Sequence, residues 1–242
     1  MHVRLLNLGL LVLAGVFASS ATAGPIGLTF ESGTLAGFAF SGQGNATVVS
    51  SLGTLNPLFG SFTALLSNGP GDRGGTFDTA ILTSNSFTLI ASDVLAFNIK
   101  LLSGEFTGAA ADPSRLDSFL IQLTPTVGPA TVLHSSNVSN VAFSAIPGGP
   151  VSASAGDTFF DATGWMPISV TGLTGTYTLR FTVADAGDSS FDSAFLIDAA
   201  APATGAPEPA SALTFGCGLA ALLYARRRWN SDKTVQKRRT CQ

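Results

Sequence analysis

The sequence predicts an all-β protein, a jelly-roll-like antiparallel β-sandwich, on three observations. From Ile26 onward, short stretches rich in Val, Ile, Phe, Leu and Thr are broken by Gly, Pro, Asn and Asp about every ten residues, the spacing of strands and turns. In "YTLRFTV", Tyr177, Leu179, Phe181 and Val183 fall on one face while Thr178, Arg180 and Thr182 fall on the other, the period-2 signature of a half-buried antiparallel strand. No comparable segment of the body carries a sustained apolar period of about 3.6 residues, so helices are not expected there.

The chain opens with "MHVRLLNLGLLVLAGVFASSATAG". Arg4 supplies a basic start, an apolar run extends from Leu5 to Phe17, and Ala21 and Ala23 stand in an A-x-A arrangement. This pattern marks a signal peptide over 1–23, cleaved after Ala23, and the run falls short of the ~20 residues that a spanning helix needs. Residues 24–201 follow as the sandwich. Its expected strands are 27–31, 45–51, 61–67, 80–89, 94–103, 117–125, 130–136, 165–171, 176–185 and 193–200, with "SNGPGDRGG" (67–75) and "IPGGPVSASAGD" (146–157) as turn-rich linkers.

Between Gly24 and Gly205 the chain holds 4 basic residues against 13 acidic ones, a net charge of −9. An acidic body argues against a nucleic-acid partner, because neutralising phosphates takes clustered Lys and Arg. Both cysteines, Cys217 and Cys241, lie near the C-terminus, so the body has neither a disulfide framework nor a thiolate metal site. His134 is the single histidine left after signal removal, and no G-x-S-x-G elbow accompanies it. Neither a Ser-His-Asp triad nor a zinc centre is therefore expected. Glycoside hydrolysis would need two facing carboxylates, which the plentiful aspartates do not exclude, but Trp165 and Tyr177 are the only Trp and Tyr in the body.

The stretches "LTFESGTLAGFAFSGQGNATVV", "GSFTALLSNG" and "GTYTLRFTVADAGDSSFDSAFLIDAA" resemble the jelly-roll domains of exported anchored proteins and, more distantly, carbohydrate-binding modules. That resemblance implies a structural calcium held by an acidic residue of the first strand and an aspartate of the last, which fall on Glu31 and Asp198. The loop "ADAGDSSFD" adds Asp185, Asp188 and Asp192 without EF-hand spacing.

Beyond the sandwich, "APATGAPEP" is a Pro/Ala/Gly linker over 202–209. It leads into "ASALTFGCGLAALLYA", residues 210–225, an uncharged run expected to form a transmembrane helix, and then into a basic tail over 226–242 that begins with Arg226, Arg227 and Arg228. Sixteen helical residues rise ~24 Å, a barely sufficient span whose arginines would stay in the cytoplasm by the positive-inside rule. Pro207, Glu208 and Pro209, the apolar helix and the arginine cluster together resemble the PEP-CTERM sorting signal. The resemblance implies an exosortase as partner, a membrane-held precursor, and delivery to the cell surface or an extracellular matrix. The tail departs from the family pattern by continuing through "WNSDKTVQKRRTCQ".

The sequence thus predicts an exported, non-enzymatic surface or matrix protein, associated with exopolysaccharide and sorted through Pro207–Pro209 and Arg226–Arg228. The alternatives are a lectin-like module, with or without calcium, and a glycoside hydrolase built on an Asp/Glu pair.

Overall fold

The computed structural model describes residues 28–69, 78–105, 107, 116–153, 156–185 and 191–200. Ala21, Ala23 and the rest of the signal peptide lie outside the described residues. So do Asp188, the 202–209 linker with Pro207, Glu208 and Pro209, the 210–225 helix, and the tail with Arg226, Arg227 and Arg228. All described residues fall within one compact unit, Ala23–Thr204.

Fifteen strands and no helix are described: β1 Phe38–Gly42, β2 Asn45–Val49, β3 Thr63–Ser67, β4 Thr79–Ser84, β5 Phe87–Leu89, β6 Val94–Ser103, β7 Ser118–Pro125, β8 Thr131–Asn137, β9 Ser144–Ala145, β10 Val151–Ser152, β11 Thr158–Phe159, β12 Asp161–Ala162, β13 Met166–Thr171, β14 Gly175–Ala184 and β15 Ser193–Ala199. A six-stranded sheet runs β1-β4-β14-β7-β8, with β5 also on β14. A seven-stranded sheet runs β2-β3-β15-β6-β12-β9, with β13 also on β6. Every pairing is antiparallel.

The two sheets share one apolar interior. Leu179, Phe181 and Val183 of β14 point into it, as the alternation predicts, and Phe119, Ile121 and Leu123 of β7 join them. From the facing sheet come Leu95, Phe97, Ile99 and Leu101 of β6 with Phe195 and Ile197 of β15. Phe181 meets Phe97 edge-on at 5.4 Å and Phe195 at 6.0 Å, and Phe119 meets Phe195 at 5.3 Å, so T-shaped pairs lock sheet to sheet.

A second apolar cluster covers the outer side of the seven-stranded sheet. Leu65, Leu102, Ala194 and Leu196 pack there against Leu52, Leu55, Ile146, Val151 and Phe159. The strand β15 is therefore buried on both faces, Phe195 and Ile197 inward and Ala194 and Leu196 outward, which is why "AFLI" reads as a run and not as an alternation. The 146–157 segment is more than a linker, since β10 pairs with β11 and carries Val151 into this outer layer.

Two other expectations are corrected. Of the expected 27–31 strand, the described residues 28–31 contribute none: Leu28 and Phe30 are buried in the inter-sheet core, and a turn closes at once from Gly33 N–H to Phe30 O at 2.8 Å. The expected 80–89 strand breaks into β4 and β5 on the same neighbour. At the break, Ser84 Oγ accepts the Leu179 N–H at 2.9 Å, and Asn85 N–H turns aside to Gly37 O at 2.6 Å. The strand β1, "FAFSG", lies in a stretch whose Gly and Ser content hides its pairing with β4.

Candidate functional site

Three places on the sandwich concentrate polar chemistry. The first is the loop 58–62, where Glu31 and Asp198 converge. Asp198 Oδ2 accepts the N–H groups of Leu58 at 2.6 Å and Phe59 at 3.1 Å, and Oδ1 accepts Ala199 N–H at 2.7 Å. Glu31 accepts Ser61 N–H on Oε1 at 3.1 Å and on Oε2 at 2.9 Å, and Phe62 N–H on Oε1 at 3.2 Å. Burial raises the pKa of Asp198, the three backbone donors oppose that, and the charge of Glu31 adds to the rise.

The structure thus brings together the two residues that the resemblance assigns to calcium, and sets both against the backbone amides of one loop. All four carboxylate oxygens already accept amide protons. Among the described residues, no group of three or more His, Cys, Asp or Glu could hold a metal ion. The pair anchors a loop between the first turn and the last strand.

The second place is a buried acidic end. Antiparallel pairing sets the ends of β3, β6 and β14 beside the starts of β4, β7 and β15. Asn68, Glu105 and Asp185 follow the former strands, while Asp78, Asp117 and Asp192 precede the latter, and all six are buried. Asn68 Nδ2 donates to Asp117 Oδ2 at 2.8 Å, and Asn68 Oδ1 accepts Ser193 N–H at 2.7 Å.

Asp117 Oδ1 and Ser193 Oγ make no hydrogen bond of acceptable geometry, although the hydroxyl is near enough to favour the ionised acid. Burial is the chief reason that the Asp117 carboxyl is pushed up to about 8. The charges of Glu105 and Asp185 add to that rise, against the donors Asn68 and Ser193. The sequence carries a trace of this cluster, an acidic residue one position outside each of four strands and Glu105 two positions beyond β6, but only the topology shows that these ends meet.

The third place is an open groove of about 350 Å³ where β7 ends and β14 begins. Pro125, Thr126 and Val127 form one wall, and Thr174, Gly175, Thr176 and Tyr177 form the other. The walls are tied together: Thr126 donates from N–H at 2.9 Å and from Oγ1 at 3.1 Å to Thr176 O, and Thr176 Oγ1 shares a hydrogen bond with Thr88 Oγ1 at 3.2 Å. The half-buried Tyr177 ring is fixed by its hydroxyl, which donates to Thr174 O at 3.0 Å. Val127 stands at the rim, 90% exposed. The lining combines hydroxyls, backbone carbonyls and one aromatic ring, with no carboxylate and no histidine.

His134 sits on β8 with Nε2 2.7 Å from Ser136 Oγ, and burial lowers its pKa. Trp165 packs against the outer apolar cluster, with Lys100 Nζ 5.3 Å above its ring.

No protein-family model matches the chain, and no curated protein does. Solved structures with a similar all-β architecture include the K3 cleaved adhesin domain of Lys-gingipain from Porphyromonas gingivalis W83, at 12% identity and TM-score 0.41, covering 74% of this chain and 99% of that one. The carbohydrate-binding module TmCBM61 in complex with β-1,4-galactotriose follows at 12% identity and TM-score 0.37, covering 71% and 94%. The C-terminal family 22 carbohydrate-binding module of Clostridium thermocellum Xyn10B shows 16% identity and TM-score 0.34, covering 76% and 98%.

Proposed function

We propose that this protein is an exported, non-enzymatic β-sandwich that binds carbohydrate at the surface of the cell or in its matrix, on a jelly-roll-like scaffold. The observation that carries the binding role is the groove between Pro125–Val127 and Thr174–Tyr177. Sugars present alternating hydroxyl edges and apolar ring faces, and the groove answers with threonine hydroxyls and carbonyls beside a fixed tyrosine ring. The lack of any acid or base in its lining favours holding a glycan over cleaving one.

Export and retention rest on sequence. The signal peptide ending at Ala23 directs the chain outward, and Pro207–Pro209, the 210–225 apolar run and Arg226–Arg228 form the order of a PEP-CTERM signal for an exosortase. The body would be released or attached on the outer side, where polysaccharide is found.

A glycan array probed with the full chain tests the binding role, alongside Val127→Asp. This substitution places a charge at the 90%-exposed rim without disturbing the core. Binding to at least one neutral polysaccharide, weakened about tenfold or more by Val127→Asp, is expected. Silence across the array, or binding that ignores the substitution, would remove the groove as the site.

A further inference from the structure

The chain carries two Asn-X-Ser/Thr triplets, Asn45-Ala46-Thr47 and Asn137-Val138-Ser139, and the fold holds them in opposite ways. The first lies within β2, where Asn45 pairs with Ser67, Ala46 with Leu66 and Thr47 with Leu65. An extended backbone carries the N–H of the third residue away from the Asn side chain, so no turn closes on Asn45 there.

The second triplet sits where β8 ends. Asn137 Oδ1 accepts three donors: Ser139 Oγ at 2.8 Å, Ser139 N–H at 3.0 Å and Asn140 N–H at 3.1 Å. Asn140 Oδ1 in turn accepts the Asn137 N–H at 2.9 Å. The Asn137 side chain thus stands in for backbone in a tight turn. Val138 pins that turn, fully buried in the inter-sheet core with its N–H on Asp117 O at 3.1 Å, while Ser139 and Asn140 are exposed. Each hydrogen bond described for the Asn137 side chain falls on Oδ1, which leaves Nδ2 without a partner among the described residues.

That arrangement suits a reaction at the nitrogen. Donors on Oδ1 stabilise negative charge there and so favour release of an Nδ2 proton, which frees the nitrogen lone pair for bond formation. The Ser139 hydroxyl is the donor that the third position of the triplet contributes.

We propose that Asn137 is a glycan acceptor, modified after export by transfer from a lipid-linked glycosyl pyrophosphate, and that Asn45 is not. Nδ2 forms a bond to the anomeric carbon of the donor sugar. The bond from that carbon to the pyrophosphate oxygen breaks, its electron pair leaves with the pyrophosphate, and the Nδ2 proton passes to a base of the membrane transferase. The assignment rests on the export expected of the signal peptide and is independent of the groove. Asn137 pairs with Ser118 at one end of β7 and the groove lies at the other, about 20 Å away, so a glycan on this turn leaves the groove open.

The test is mass spectrometry of the full protein recovered from its own cells, with the modified residue mapped by peptide. A mass increment of a whole number of sugars is expected on the peptide holding Asn137 and none on that holding Asn45. Asn137→Gln and Ser139→Ala should both abolish it, Ser139→Thr should keep it, and Asn45→Gln should leave it unchanged. Ser139→Ala spares the acceptor itself and so isolates the role of the hydroxyl, and urea midpoints of each variant verify folding.

An increment on Asn45, or one that survives Asn137→Gln or Ser139→Ala, overturns the assignment. A chain that begins at Gly24 and carries no sugar overturns it while leaving export standing, whereas an unmodified chain that still begins at Met1 refutes both.

Discussion

A Cβ atom on Gly60 would stand 2.2 Å from Glu31 Oε1, because the loop folds closely around that carboxylate with Gly60 at φ +72°. Gly60 therefore meets two demands at once, a left-handed backbone and room for the anion that binds the next two N–H groups. Gly60→Ala should lower stability by about 1–3 kcal/mol, and Glu31→Gln, which keeps the shape but weakens the charge-assisted acceptor, by about 1 kcal/mol. Urea denaturation measures both. Unchanged midpoints would mean that the loop is held elsewhere.

Removing calcium should have no effect. With every oxygen of Glu31 and Asp198 engaged by backbone amides, the melting temperature is expected to be the same in excess calcium and in excess chelator. A chelator-induced drop of several degrees would show that a cation replaces some of these N–H contacts.

The acidic end should make stability depend on pH through Asp117. Its carboxyl is raised from an ordinary 3.8 to about 8 in the folded chain, so between those values the folded state holds a proton that the unfolded state has lost. The contribution is complete below the unfolded pKa and declines as pH rises towards the folded one. Asp117→Asn, a permanently neutral isostere, should have little effect near pH ~3 and be progressively more stabilising towards pH ~9. Urea midpoints of wild type and variant at both pH values give the difference, and a difference that stays constant or reverses would contradict the shift.

The outer apolar layer should behave as true core. Leu196→Ala removes a fully buried side chain from the cluster formed with Phe159 and Val151, and should cost about 2–5 kcal/mol, comparable to a lesion between the sheets. A loss below about 1 kcal/mol would indicate that the 146–165 covering peels away readily.

Processing is checked by the intact mass of protein recovered from the cell surface. A species running from Gly24 to near Glu208 is expected from the two terminal signals, while one retaining Arg226–Gln242 would make the 210–225 apolar run a permanent anchor.

Sequence by itself determined the all-β class and which face each side chain takes along its most regular strands. In β6, β7 and β14, each inward residue is apolar, and burial of one face forces an alternation that can be read directly. The resemblance implied that Glu31 and Asp198 stand together, and the structure places both against the amides of the 58–62 loop. Only the tertiary structure decided the rest. Whether "AFLI" is buried on one side or two depends on Leu52, Val151 and Phe159 arriving from distant segments.

The acidic end and the groove likewise arise from strands that are neighbours in the sheet but far apart in the chain. Antiparallel pairing gathers β3, β6 and β14 ends with β4, β7 and β15 starts, and it sets Tyr177 opposite Pro125. Local patterning fixes which way a side chain faces; long-range pairing chooses what it faces, and the candidate site is made of such choices.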